Sequence, residues 1–264
     1  MILVESSPIT FQVFVFVLGC CLGSFYNVVI HRLPRHESLI SPGSRCPACG
    51  KSIAFYDNIP VASFIVLGAK CRWCRAPISP RYPLVELLTG ILALLLFRRY
   101  GPNLQFGIEF FFVSLLLIIA LIDLDTFLIP DVLSLPGIVL GFLFSFFTPR
   151  LSWNDSLLGI FLGGGLLYLI ATGYALARKK EGMGGGDIKL LGMIGAFIGW
   201  PGVVFTVLVS SIAGLVVTIP LMLFKGKGLG SEIPYGPFLS FGAASYIFWG
   251  QFLIHWYYTE ILGM

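Results

Sequence analysis

The sequence predicts an all-α polytopic membrane protein, about eight transmembrane helices with a single cytoplasmic zinc-binding loop domain. Three observations predict it. Hydrophobic residues fill 57% of the 264 positions, charged residues only 11%, and mean hydropathy is +0.91, whereas soluble domains are roughly a quarter charged. Apolar stretches run near 10–30, 82–97, 106–122, 132–147, 156–177, 188–200, 203–224 and 238–257, and a helix crossing the hydrocarbon core takes about 20 residues. What remains collects mostly into one segment, 31–81, which carries two Cys-x-x-Cys pairs. The same composition excludes a soluble enzyme, and with 15% aromatic residues it also excludes an intrinsically disordered chain.

In chain order, the first stretch has no basic run before it and no small-x-small cleavage pattern, so it reads as an anchor rather than a removed signal. The sixth is short and parted from the seventh only by Trp200-Pro201-Gly202, which reads as a tight hairpin. The organisation expected is a first helix over 1–30, a loop domain over 31–81 and a seven-helix membrane core over 82–264. Orientation follows from Lys and Arg, which stay in cytoplasmic loops. Eight lie from Arg32 to Arg81, four from Arg178 to Lys189, and two are Lys225 and Lys227; opposite them stand only Arg98, Arg99 and Arg150. The loop domain and the 178–187 loop therefore face the cytoplasm, and both termini face outward.

In the loop, Cys46-Pro-Ala-Cys49 and Cys71-Arg-Trp-Cys74 are 21 residues apart. Two such pairs close on one tetrahedral zinc, and four thiolates leave no open position, so the metal is structural. Two disulfides are the alternative, disfavoured in a reducing compartment. Gly50 supplies the backbone freedom that a metal knuckle needs, and metal binding supplies folding free energy to a loop too small to build a core. Cys20 and Cys21, adjacent on the first helix, face different directions and read as packing residues. His31 reads as an interfacial anchor.

Ionisable groups next to hydrocarbon are costly and default to functional candidates. Asp123, Asp125 and Asp131 cluster after the third stretch, and Asp187 ends Gly184-Gly185-Gly186-Asp187. On a continuing helix Asp123 and Asp125 point about 200° apart, with Asp123 nearer the apolar run and more desolvated. Asp131 reads as an N-cap before the next span. Asp187 could be a cap as well, but glycines support a cap poorly and suit close approach of a peptide backbone. Two converging carboxylates in a partly dry site repel, so one keeps its proton and the pair works as base and acid together. That is aspartyl-protease chemistry, in which water attacks a peptide carbonyl without a covalent intermediate. No Gly-x-Ser-x-Gly or His-Glu-x-x-His competes, and the only histidines are His31, His36 and His255. A transporter would set its carboxylates near the midplane rather than at one border; a zinc-loop scaffold without catalysis is the other rival, separated by whether the protein shortens a peptide substrate in detergent.

These residues resemble the type IV prepilin peptidase family, membrane aspartyl peptidases with a Gly-x-Gly-Asp signature. The likeness extends from Gly23-Ser24-Phe25-Tyr26-Asn27 through Tyr56-Asp57-Asn58-Ile59-Pro60, both cysteine pairs and Arg81-Tyr82-Pro83-Leu84-Val85-Glu86 to Ile233-Pro234-Tyr235-Gly236-Pro237. The resemblance implies Asp123 and Asp187 as the catalytic pair, in agreement with the physical argument. It implies cleavage of the short basic leader of type IV prepilins and type II secretion pseudopilins at the bacterial inner membrane, with the active site facing the cytoplasm. It also implies N-methylation of the new N-terminus with S-adenosylmethionine, for which the chain has no recognisable nucleotide fingerprint: Gly163-Gly164-Gly165 reads as helix packing. The glycines at 184–186 are expected to admit the extended substrate, and Pro234, Gly236 and Pro237 to form the opposite side of its groove, an ordinary turn being the alternative since Pro and Gly mark any turn. No nucleic-acid partner is expected. The cytoplasmic face is itself basic, so bulk attraction does not recruit a basic leader, and the excess meets anionic lipid. Glu86, within the second stretch, is open to an interhelical hydrogen bond or a substrate contact; Glu109 reads as interfacial.

Overall fold

A computed structural model describes residues 8–178, 184–225, 233–256 and 259–260; Lys179, Lys180, Gly182, Met183 and Lys227 of the sequence reading lie outside these. All regular structure among the described residues is helical, with no strand and only two isolated bridges, Arg45 with Ser52 and Lys70 with Pro77. The chain divides into two compact units, Met1–Ser114 and Leu115–Met264.

In the N-terminal unit, α1 (Ile9–Arg32) is followed by the cysteine loop, which contains the short α2 (Ala62–Val66), then by α3 (Arg81–Tyr100) and the first half of α4 (Leu104–Thr126). Lipid offers helices no hydrophobic drive to associate, so small residues that let backbones touch do the work. Gly19 and Gly23, four apart on α1, are such residues. A Cβ on Gly19 would lie 2.8 Å from the Gly90 Cα, and one on Gly23 would lie 2.7 Å from the Glu86 Cα. Polar bonds add specificity: the Tyr26 hydroxyl donates to Ser114 Oγ at 2.9 Å and Asn27 Nδ2 to the Tyr82 carbonyl at 3.1 Å. Glu109 is not interfacial as expected but buried, only 4% exposed, and accepts from Gln105 Nε2. Cys20 packs against Gly90 as expected, whereas Cys21 is exposed.

The C-terminal unit contains the rest of α4, α5 (Asp131–Ser145), α6 (Trp153–Ile160), a π-turn at Phe161–Gly165, α7 (Leu166–Arg178), α8 (Gly185–Lys225), α9 (Gly236–Ser245), a π-turn at Tyr246–Gly250 and α10 (Gln251–Trp256). Its core is the first half of α8, where Leu190, Leu191, Met193, Ile194 and Ala196 are fully buried. Glycine contacts again set the spacing: a Cβ on Gly195 would fall 2.1 Å from the Gly159 carbonyl oxygen of α6, and one on Gly137 of α5 would fall 2.4 Å from Met193 Sδ. Gly163 likewise packs on the Leu191 backbone, as its place within a span implied. A straight helix of 41 residues would reach about 60 Å, twice the hydrocarbon core. Gly199, at φ 71° and ψ 179°, breaks it. The break thus falls just before the expected Trp200-Pro201-Gly202, because Pro201 fits the first turn of the following helix, where its missing N–H costs nothing.

Four helices among the described residues are long and apolar enough to cross a membrane: Ile9–Arg35, Leu104–Thr126, Trp153–Gly173 and Gly185–Pro220, with Asp131–Ser145 a shorter apolar helix. The count of eight is not confirmed. Helix α3 carries Arg81, Glu86, Arg98 and Arg99 in its 20 residues, α8 merges two of the expected spans, and the last is divided among α9, a π-turn and α10.

Candidate functional site

The four loop cysteines converge. Sγ atoms of Cys46, Cys49, Cys71 and Cys74 all lie within 4.8 Å of one another, with Cys46 and Cys74 3.8 Å apart, and all four are free thiols rather than disulfides. Tetrahedral zinc with Zn–S bonds of about 2.3 Å sets sulfurs about 3.8 Å apart, so the donor set fits. Each pair sits on the same backbone knuckle. Gly50 N–H donates to the Cys46 carbonyl at 2.9 Å and Arg75 N–H to the Cys71 carbonyl at 3.0 Å, and both donors take a left-handed φ, 69° and 60°. Gly50 does so without cost, as the sequence implied; Arg75 does so against the preference of a side chain with a Cβ. N–H groups of Cys74 and Trp73 hold the Cys71 thiol down at about 6, whereas, against the Ala76 N–H, burial and the neighbouring thiols push Cys74 up to about 11, so the cluster's first negative charge settles on Cys71. A bidentate ion pair from Arg72 to Asp57 braces the loop and holds the Asp57 carboxyl below the usual range.

The carboxylate pair lies in the C-terminal unit. Asp123 is in the last turn of α4 and only 5% exposed, while Asp125 two residues on is exposed, as the helical geometry requires. Asp187 is half-buried in the first turn of α8, within electrostatic reach of Asp123. Three ties set this arrangement. Helix α4 ends at Phe127, whose φ of 56° turns the chain so that Ile129 meets Gly186; a Cβ on Gly186 would be 2.9 Å from the Ile129 Cβ. Lys189 of α8 pairs with Asp131 of α5 at 2.7 Å. Asp131 is thus not the expected N-cap: Pro130 holds that position without a side-chain bond, and the carboxylate is drawn to Lys189 instead. Finally the Gly236 N–H donates to Asp123 Oδ2 at 2.9 Å.

That last bond escaped the sequence reading, which placed Gly236 beside the substrate but not as a donor to the carboxylate. A Cβ at Gly236 would lie 2.7 Å from Asp123 Oδ2, closer than non-bonded atoms tolerate. Gly236→Ala should therefore displace the Asp123 carboxylate by a fraction of an ångström, and for the catalytic role expected of Asp123 from the sequence that displacement should cost about a hundredfold in kcat with a smaller change in KM; steady-state kinetics on purified protein checks this. Pro237 opens α9, and Tyr235, between Pro234 and Gly236, is fixed by a 2.8 Å bond to Ser210. Of the three glycines, Gly186 owes its missing side chain to packing on Ile129, Gly184 faces Asp187 Oδ2, and Gly185 faces open space.

An α-helical membrane chain with a two-carboxylate centre in one unit and a four-thiolate centre in the other defines the class of protein. Residues 17–100 match the bacterial peptidase A24 N-terminal domain and residues 110–219 the type IV leader peptidase family. Among curated relatives, the prepilin leader peptidase/N-methyltransferase of Pseudomonas aeruginosa is 36% identical over 93% of both chains, and that of Aeromonas hydrophila 35% over 94% of both. The protein of the same name from Myxococcus xanthus is 41% identical over 82% of this chain, which spans 65% of its length. The chain belongs to the type IV leader peptidase family, and it is an enzyme. No solved structure matches it significantly.

Proposed function

We propose that Asp123 and Asp187 are the catalytic dyad of a peptidase that removes the leader of type IV prepilins or pseudopilins, and that the chain then N-methylates the new N-terminus. The reading rests on one observation above all: a buried carboxylate pinned by the Gly236 N–H stands within electrostatic reach of a second carboxylate at a glycine-rich helix start. Sharing one proton, the pair does both halves of the reaction. The ionised carboxylate takes a proton from water as its oxygen attacks the scissile carbonyl. The protonated one donates to the carbonyl oxygen; as the tetrahedral carbon collapses, the C–N bond breaks, the carboxyl that took the water's proton passes it to the leaving amine, and the other carboxylate recovers its proton from the hydroxyl that becomes the product's carbonyl. The four thiolates hold structural zinc, which when bound supplies loop stability rather than a Lewis acid.

The basic loops support a bacterial inner-membrane location with the dyad at the cytoplasmic border. A prepilin lying with its apolar helix in lipid and its basic leader in the cytoplasm brings the bond to that depth. Backbone just outside the helix is open to water, whereas inside it is sealed by its own hydrogen bonds. Gly184 and Gly185 admit this extended strand, and Pro234, Gly236 and Pro237 line its other side. Gly185→Val introduces a side chain where the fold has room, so cleavage should fall about tenfold or more with normal yield of folded protein. Gly186→Val is a poorer test because it strikes Ile129. A prepilin whose cut site is moved several residues into its helix should resist; efficient cleavage of it by purified enzyme in detergent would remove the border model.

A further inference from the structure

The cysteine loop is tied to the helices at two levels. Near the end of α1, the Arg32 guanidinium donates to the carbonyls of Ser38 at 2.9 Å and Pro42 at 2.7 Å, which holds the 38–42 segment beside that end. The middle of the loop is held elsewhere. Val61 N–H donates to buried Glu86 of α3 at 2.7 Å, Ser24 of α1 donates to the same carboxylate, and a Cβ on Gly23 would touch the Glu86 Cα. Ser24 precedes Arg32 by eight residues, so Val61 is held about 12 Å back along α1 from the helix end. That level lies inside the apolar stretch 10–30. The polar interface of one leaflet is only about 5–8 Å thick, so the backbone at Val61 is level with acyl chains rather than with bulk water. Val61 sits at φ 60° and ψ −49°, a conformation that a β-branched residue adopts only when its surroundings over-determine it.

We propose that residues 55–66 form an anchor that dips into the cytoplasmic leaflet of the membrane that α1 crosses, with Phe55, Ile59, Ile65 and Val66 among the acyl chains. The segment has the build that such a place demands. A 3-10 turn at Phe55–Asn58 is followed by α2, and Ser63 joins them, its hydroxyl donating to the Tyr56 carbonyl at 3.1 Å and accepting from the Ile59 N–H at 3.1 Å. Helical turns satisfy their own backbone groups, as chain near hydrocarbon must. Its outward side chains are apolar: Phe55 is 87% exposed, Val66 81% and Ile65 70%. So many large apolar groups exposed within twelve residues mark a surface that is covered in place. Charge selects lipid as the cover. Residues 31–81 carry eight Lys and Arg against Glu37 and Asp57, a balance that attracts anionic headgroups and repels the basic leader of a substrate. Lys70 and Arg75, exposed on the chain beyond α2, are placed in sequence to meet phosphates. Trp73 is exposed, with Lys51 Nζ 4.6 Å from its ring centre, a pairing of aromatic and cation suited to the headgroup layer.

The test reads water access at single side chains and needs no turnover, so it stands apart from the dyad assignment. Full-length zinc-loaded protein carrying Ile65→Cys or Val66→Cys is reconstituted, with no other protein, into vesicles of phosphatidylethanolamine and phosphatidylglycerol. Ser52→Cys, at an exposed site between Arg45 and Lys51, is the water-facing reference. The vesicles are opened to a charged maleimide that does not enter lipid, and alkylation of each introduced cysteine is followed by mass spectrometry of its peptide. Neither Ile65 nor Val66 is covered by the protein itself, so only lipid can hide them. A thiol in apolar surroundings seldom ionises, and the reagent does not reach it, so both should react about tenfold or more slowly than Ser52→Cys. Zinc retained at the wild-type ratio in each variant shows that the loop is folded. Alkylation of Ile65→Cys and Val66→Cys at the Ser52→Cys rate would put the segment in water and overturn the proposal. Fast alkylation in lipid alone that slows only when a prepilin is added would make the segment a substrate surface, and would overturn it equally.

Discussion

Asp123→Asn and Asp187→Asn should each lower prepilin cleavage by about a thousandfold or more, about 4 kcal/mol of transition-state stabilisation. Asparagine keeps the size and most hydrogen bonds of aspartate but can neither accept a proton from water nor lend one to the leaving amine. At Asp123 the Gly236 N–H still finds an acceptor in the amide oxygen, so the fold around α4 and α9 should survive and the loss should fall on kcat. At Asp187 the helix start is held independently by Ile129 against Gly186 and by Lys189 with Asp131, so the variant should insert and fold normally. Asp125→Asn is the internal control: its side chain is exposed on the other side of α4, and its effect should stay within a few-fold. Gel-based cleavage of a purified prepilin by each variant, normalised to folded protein, measures all three.

Loss of zinc should act at a different place, on the fold of the 31–81 loop rather than on the chemical step. Structural zinc contributes on the order of 10–16 kcal/mol of apparent binding free energy at neutral pH, more than a loop of this size can replace from its own core. Metal analysis should find about one zinc per chain, set by four thiolates to one ion. Cys46→Ser or Cys71→Ser, or a strong chelator, should leave the membrane helices folded while the 31–81 segment becomes open to protease. Acidification should release the metal as the thiolates take up protons. Stoichiometric retention of zinc by Cys46→Ser protein would show that the ion sits elsewhere.

What the sequence made legible is what depends on neighbours in the chain. The Cys-x-x-Cys pairs converge as their spacing implied, Gly50 takes the left-handed turn, and helix geometry sets Asp123 and Asp125 apart with Asp123, the one beside the apolar run, turned inward. The helices fall where the apolar runs are, within a few residues. What stayed hidden depends on partners distant in sequence. The bond from Gly236 to Asp123 crosses 113 residues, and the pairing that takes Asp131 from its expected capping role crosses 58. Glu109 looked interfacial because a carboxylate near a helix end usually meets water, but burial is set by the packing around it, and Gln105 one turn away satisfies it. Cys21 looked like core for the same reason in reverse.

The claim that Asp123 and Asp187 act as one unit is tested most directly by comparing the double Asp→Asn variant with the two singles in a single-turnover cleavage assay. Groups that share one proton are not additive, since removing either already disables the step that both perform. The double variant should therefore cleave no more slowly than the worse single, with all three near the background rate. Losses that add in free energy, or a single variant that retains cleavage near the wild-type rate, would show two carboxylates acting apart and contradict the dyad.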